Sequence, residues 1–180
     1  MQGNSGMALT SEEVARLYGQ LDFQEIVLLK KCVAEIFEEA TIINIGAGFG
    51  TSAMAMLEQS PKSHVFSIDR DPNNHELDNL VQSSVDWRRV IRILGRSQDV
   101  GAVWPSMVDM VFVDGDHSTE AVRQDIKAWL PYIVRNGFML FHDYKHPNVP
   151  ELTIVVDEMM KEHEKIGEAR FLVAYRITNV

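Results

Sequence analysis

A chain of 180 residues, 46% apolar and with eight Phe and three Trp, is long enough and greasy enough to bury a full core as one domain over residues 1–180. Its formal charge of −9 speaks against a general polyanion-binding surface, so a small molecule is the expected partner and nucleic acid is not. No apolar run reaches the length of a membrane span, residues 1–6 carry no apolar leader core, residues 1–9 are expected to be flexible, and the single Cys32 excludes an intrachain disulfide. A cytoplasmic location and a core role for Cys32 follow as expectations.

Thr10 and Glu13 have capping-box spacing ahead of Val14, Leu17, Tyr18 and Leu21, and Asp22 and Glu25 repeat it ahead of Ile26, Leu29, Val33, Ile36 and Phe37. Two N-terminal helices are therefore expected, either covering a pocket or forming a contact between two copies. Thr41–Ile45 reads as a strand, and a helix from Thr51 should stop near Ser60-Pro61. His64–Asp69 is a second strand. Pro72 is placed to open a helix carrying Leu77, Leu80, Val81 and Val85. Val90–Leu94 is a third strand, followed by a weak helix from Ser97. Arg88, Arg89, Arg92 and Arg96 read as a solvated basic face.

Val108–Val113 is a fourth strand, ending in Asp114-Gly115-Asp116-His117, and Ser118 or Thr119 caps the next helix. Asn136-Gly137 reads as a turn into a fifth strand, Phe138–Phe141, ending in His142-Asp143-Tyr144. A helix from Pro150 is expected to run far enough to carry His163 on the face of Leu152, Val155, Val156 and Met160. Phe171–Ile177 is a last strand, with room for one strand or two very short ones after Arg170.

Short strands alternating with helices predict an α/β fold: a three-layer, mostly parallel sheet of six or seven strands with helices on both faces. In such sheets ligands bind beyond the carboxyl ends of the strands. The polar residues of this chain gather there: Gly46-Ala47-Gly48-Phe49-Gly50, Asp69, Gly95-Arg96-Ser97, Asp114 to His117, and His142 to Tyr144. The glycine loop sits between a strand and a helix start, where free N–H groups can meet a polar ligand. A dinucleotide fingerprint wants a small third residue at the position of Thr51, whereas here Gly50 supplies the third glycine.

With these residues in place the chain resembles class I S-adenosylmethionine-dependent methyltransferases, within them the small O-methyltransferase group of macrocin O-methyltransferase and cephalosporin hydroxylase-like proteins. The resemblance is carried by Ile43 to Ser52, Ser67-Ile68-Asp69, Phe112 to Val122, and Trp129 through Tyr144, roughly residues 40–145. It implies a Rossmann-like methyltransferase fold and S-adenosylmethionine as cofactor. Gly46, Ala47, Gly48, Phe49 and Gly50 would pass under its methionine part, and Asp69, with Arg70 beside it, would hold the ribose. Arg96 and Ser97 would lie near the adenine, and Asn44 and Asp114 would complete the cofactor set. Asn44 and Arg96 stand where the family usually has acidic residues.

Related O-methyltransferases hold magnesium at the fourth and fifth strand tips, where this chain has Asp114, His142 and Asp143. Mg²⁺ or Mn²⁺ is the implied ion, with His142 tilting the set toward softer metals. A hydroxyl acceptor must also lose its proton. His142 is then a candidate base as well as a ligand, with His117 and Asp116 as further candidates, Asp116 doubling as a helix-cap residue. Tyr144 is expected in the pocket wall. Two rivals remain: a nucleotide-dependent oxidoreductase on a similar sheet, and a degenerate methyltransferase that binds the cofactor without transferring its methyl.

Overall fold

A computed structural model describes residues 8–71 and 74–178. The reading of Pro72 as a helix opener lies outside these residues, as does the expected flexibility of residues 1–7. Leu9 is tied down, its N–H donating to the Gln82 carbonyl at 3.0 Å.

Both N-terminal helices begin where their caps predict. In α1 (Ser11–Tyr18) the Thr10 hydroxyl accepts from the Glu13 N–H while the Glu13 carboxylate accepts from the Thr10 N–H. In α2 (Phe23–Ala34) Asp22 and Glu25 make the same reciprocal pair. Helix α2 stops at Ala34, which leaves Phe37 78% exposed rather than on the buried face. Lys30 reaches Glu12 at 2.7 Å and Glu58 at 2.8 Å, tying these helices to α3 (Thr51–Gln59).

The sheet has seven strands: β1 (Thr41–Ile45), β2 (His64–Asp69), β3 (Val90–Leu94), β4 (Val108–Val113), β5 (Ile133–Phe141), β6 (Glu164–Ala169) and β7 (Leu172–Arg176). Their order is β3-β2-β1-β4-β5-β7-β6, and only the pairings made by β7 are antiparallel. Side chains alternate across the pleat. Ile42, Val65, Met110, Phe112, Phe138 and Leu140 pack under α2 and α3 on one face. Helices α4 (His75–Gln82) and α5 (Ser97–Gly101) follow β2 and β3, and Ile43, Ile45, Ile68, Val111, Val113 and Phe141 pack on the other face, against α6 (Thr119–Trp129) and α7 (Pro150–Met160). Each fully buried large side chain stabilises the fold by about 1.5–3 kcal/mol, so the two faces carry most of the driving force.

Three local expectations are corrected. Asn136-Gly137 is not a turn between strands but an irregularity inside β5: the pairing steps from Val108–Ile133 to Met110–Phe138, with Asn136 at φ 67°. There Gly137 lies so close to the Asp109 carbonyl that a Cβ would come within 2.6 Å of its oxygen. The last helix ends at Met160, short of His163, and Glu164–Ala169 is a strand. Strand β6 escapes the periodicity because it is an edge strand, with charged Glu164, Lys165 and Glu168 and a glycine where it crosses Leu28.

Among the described residues no helix is long and apolar enough to cross a membrane.

Candidate active site

The parallel register puts the strand ends level. Ile45 lies opposite Ile68 and Val113, and Val113 opposite Phe141. One further rung extends this alignment past the strands: Asp114 N–H donates to the Ile45 carbonyl at 2.9 Å, and His142 N–H to the Val113 carbonyl at 3.0 Å. Asp114 and His142 are thereby held side by side.

The glycine loop turns through positive φ at Gly46 (92°), Gly48 (49°) and Gly50 (83°). At Gly46 the requirement is absolute, because a Cβ would run into the Asp114 backbone carbonyl. Gly50 caps α3 without a side-chain hydrogen bond, so the helix presents free N–H groups beside Thr51, whose buried hydroxyl has no partner. Asp69 braces the loop from β2: one carboxylate oxygen accepts from the Ala47 N–H at 2.9 Å, the other from the Asp71 N–H at 2.8 Å.

Asn44 sits beneath this loop and not against a cavity. It is fully buried, accepts from the Ser52 hydroxyl, and donates to the Gly46 carbonyl and to Ser67 Oγ. Ser67 in turn donates to Glu76 at 2.6 Å, and the other Glu76 oxygen lies 3.2 Å from Arg92 Nε. Burial pushes the Glu76 carboxyl up, against the pull of Ser67 and Arg92. Phe49 is stacked between Tyr18 at 4.0 Å and His75 at 5.0 Å, and its N–H donates to Gln20 Oε1. Asn44 and Phe49 shape the loop from outside the cavities that the other predicted residues line.

Three adjoining cavities run along this edge. The first, about 240 Å³, is lined by Gly46, Asp69, Arg70, Arg96, Ser97 and Asp125, among others. The second, also about 240 Å³, shares Gly46, Gly48 and Asp114 with it and adds Thr51, His117, His142 and Asp143. The third, about 660 Å³, shares His142 and Asp143 with the second and opens under α1 and α2, between Arg16, Phe23, His146 and Phe171. The three make one trough, with the histidine–carboxylate cluster at its middle.

His142 is the centre of that cluster. Its Nδ1 lies 3.1 Å from Asp114 and 3.4 Å from Asp143, and its Nε2 lies 3.5 Å from Glu25. Both ring nitrogens face acceptors, so the doubly protonated imidazolium fits best. Burial pulls its pKa down, but the hydrogen bonds to Asp114, Asp143 and Glu25 prevail and push it up to about 12. Asp143 also accepts from His117 Nδ1 at 2.7 Å. Burial raises the Asp143 carboxyl, yet His117 and His142 together hold it well below the usual range. The bond to Asp143 raises the His117 pKa. Asp143 sits at φ 56°, a left-handed conformation that costs a non-glycine residue about 1–2 kcal/mol.

Of the proposed metal ligands, Asp114 and Asp143 come together, but His117 completes the group. One ligand atom from each of Asp114, His117 and Asp143 lies within 4.8 Å of the others. Ligands about 2.1 Å from one ion stand on the order of 3–4 Å apart, so small side-chain movements would close this set on a cation. Asp116 does not join: it accepts from the Ser118 N–H and lies 3.4 Å from Arg70, while Ser118 caps α6. Tyr144 is core rather than pocket wall, 2% exposed, with its hydroxyl donating to Asp157.

Glu25 and Gln20 were not foreseen as site residues. Glu25 registers in the sequence only as a helix cap, yet its second oxygen accepts from the Phe171 N–H at 2.9 Å. The four arginines form no common face: Arg88 pairs with Asp86, Arg89 donates to the Lys62 carbonyl, Arg92 meets Glu76, and Arg96 lines the first cavity.

A model of a methyltransferase domain matches residues 43–144. An uncharacterized protein of Acanthamoeba polyphaga mimivirus is 26% identical over 125 residues, covering 63% of this chain and 56% of its own length; the chain thus spans about half of that curated relative. Among solved structures, a candidate caffeoyl-CoA O-methyltransferase from Staphylococcus aureus superposes with a TM-score of 0.72 at 17% identity, over 93% of this chain and 90% of that one. The MycE methyltransferase of the mycinamycin biosynthetic pathway, solved with Mg and SAH, gives 0.67 at 13% identity, over 95% of this chain and 55% of its own. These two likenesses establish the fold.

Proposed function

The chain belongs to the methyltransferase domain family, and from that premise we propose that it transfers a methyl group from S-adenosylmethionine to an oxygen of a small-molecule acceptor. The residues present fit such a cofactor. A glycine loop and an uncapped helix start face one cavity, and a fixed carboxylate, Asp69, lines the next. The unpartnered Thr51 hydroxyl adds a hydrogen-bonding group to the wall of the second cavity. When bound, S-adenosylmethionine supplies an electrophilic methyl, so much of the rate can come from orienting the acceptor.

The observation that carries the reading is the position of the cluster. Asp114, His117, His142 and Asp143 line the second cavity, between the cofactor-like cavity and the larger one under α1 and α2. An acceptor seated in the third cavity would present its hydroxyl there. His117 suits proton removal: Asp143 holds Nδ1 and so leaves Nε2 as the basic nitrogen. His142, held among three carboxylates, keeps its proton and fixes Asp114 and Asp143 in place. The convergence of Asp114, His117 and Asp143 favours a second reading, in which these residues would hold Mg²⁺ or Mn²⁺, an ion that would lower the pKa of an acceptor hydroxyl.

Calorimetry separates these readings. S-adenosylhomocysteine should bind and NAD(H) should not; the reverse would sink the methyltransferase reading in favour of the oxidoreductase. His117→Gln should leave S-adenosylhomocysteine affinity within about twofold and lower methyl transfer by about 10²–10⁴-fold, the usual contribution of a positioned base. Full activity after removal of divalent ions with EDTA would exclude the metal-assisted version.

A further inference from the structure

The wall of the third cavity carries cations that the reading above leaves unused. Four carboxylates line it, and each already has a basic side chain beside it: Glu12 meets Lys30 at 2.7 Å, Asp22 meets Arg170 at 2.7 Å, Glu25 lies 3.5 Å from His142, and Asp143 lies 2.7 Å from His117. Arg16, in the last turn of α1, lines the same cavity and makes no hydrogen bond or ion pair among the described residues. A chain with 26 Asp and Glu against 17 Lys and Arg has carboxylates to spare, yet none stands beside Arg16.

Arg170 adds a second guanidinium to that wall. It occupies the tight turn between β6 and β7 at φ 47°, a left-handed conformation that glycine adopts freely and other residues adopt at a cost. The position thus keeps its side chain in spite of the turn. That side chain lies over the Phe171 ring, 5.3 Å from its centroid, and donates one hydrogen bond among the described residues, from Nη1 to Asp22. The rest of its planar fork stays open.

The aromatic part of the wall describes the body of a ligand. Phe23 is 64% exposed at the start of α2, and His146 packs edge-on to Phe171 at 4.6 Å. A large ring in water at the rim of a cavity gains from being covered by flat apolar surface. Helix α1 supplies the spacing. Gln20 lines both the second and the third cavity, and Arg16 precedes it by four residues, about 6 Å of helix rise. A carboxylate at Arg16 and a hydroxyl at the histidine–carboxylate cluster are therefore separated by the length of one ring with a short arm.

Resting on the methyltransferase reading and its seating of the acceptor in the third cavity, we propose that the acceptor is a hydroxy acid with a flat apolar body, its carboxylate bound by Arg16 with the Arg170 fork on the same wall, and its body lying on Phe23 and Phe171. A neutral acceptor would leave Arg16 unused, and a cationic one would face two guanidinium groups.

The test is calorimetric titration of the intact protein, loaded with S-adenosylhomocysteine, with three probes of one shape: 4-hydroxyphenylacetate, 4-hydroxyphenylacetamide and tyramine. The acid should bind at least about tenfold tighter than the amide, and the amine should bind weakest. Arg16→Gln keeps a helix-forming residue at an exposed position, so it should fold, bind S-adenosylhomocysteine as the wild type does, and bring acid and amide to within about twofold of each other. Arg170→Gly suits the backbone of its turn and should narrow the preference partway. An Arg16 that only complements the dipole at the end of α1 would alter unfolding stability slightly and leave the ratio of the probes as it was. Equal binding of acid and amide by the wild type, a preference for the amine, binding of none of the three, or an unchanged ratio in either variant overturns the proposal. Failure to bind S-adenosylhomocysteine overturns instead the reading on which it rests, and the same titrations of the unloaded protein still decide whether the cavity takes the acid.

Discussion

The two ends of the trough are built in opposite ways. The first cavity is made mainly from strand tips and the segments directly after them, with Ala121 and Asp125 added from α6, so most of its lining is placed by the parallel strands. The third cavity is made from pieces far apart in the chain: α1 and α2, the turn after β5, and the entry to β7. At the first end, local backbone geometry fixes the chemistry. At the third, single side chains hold distant segments in register, and Glu25 is the clearest case, joining the start of α2 to His142 and to Phe171. Damage at one end should therefore spread through the whole site, and damage at the other should stay local.

The largest effect should come from Gly46→Ala. Its Cβ would collide with the Asp114 carbonyl at a residue already at φ 92°, so the substitution should destabilise the fold by about 3 kcal/mol or more in urea unfolding. It should also abolish S-adenosylhomocysteine binding and methyl transfer together, since Asp114 belongs to both halves. A variant that lost one and kept the other would break the contrast between the two ends.

Glu25→Gln should be milder and one-sided. It removes the charge beside His142 and weakens two backbone hydrogen bonds, for a loss of about 2 kcal/mol. Methyl transfer should fall while S-adenosylhomocysteine affinity stays within about twofold. An equal loss of cofactor affinity would show that the two ends are coupled.

The smallest effect lies at Asp125 and depends on pH. The folded-state carboxyl titrates near 6, against an ordinary 3.8, so the native chain binds a proton across that interval that the unfolded chain has released. The resulting stabilisation is complete below about pH 3.8 and is lost as pH rises through 6. The groups that face Asp125 are the Ser97 hydroxyl, Asp116, which raises its pKa, and Arg96, which lowers it. Measured without ligand, Asp125→Asn should gain about 1–2 kcal/mol on the wild type between pH 4 and pH 7. A pH-independent difference would show that the carboxyl is not desolvated.

The same contrast explains what was legible in the sequence. Thr10–Glu13 and Asp22–Glu25 announce their helices because capping is a matter of three-residue spacing, and the glycine loop is legible because strand, turn and helix are contiguous. Strand β6 was not, because an edge strand needs no apolar alternation. Tyr144 reads as pocket wall because it stands at a strand end with a polar tip, whereas in the fold Asp157 takes its hydroxyl in the core. Asn44 reads as a cofactor contact by position, and only the fold reveals that Ser52, Ser67 and the Gly46 carbonyl use its amide. His117 and His142 both read as candidate bases, and only the fold reveals that different carboxylates surround the two rings, Glu25 reaching His142 from more than a hundred residues away.

The double use of Glu25 has a kinetic consequence. Its oxygens accept from the Asp22 and Phe171 amides, so opening the first turn of α2 also releases the backbone at the start of β7. Those two amides should exchange with solvent deuterium in concert, as one cooperative opening unit, although 149 positions separate them in the chain. The wall of the third cavity would then breathe as a whole, admitting bulky molecules during brief openings and closing again without disturbing the parallel strands behind it.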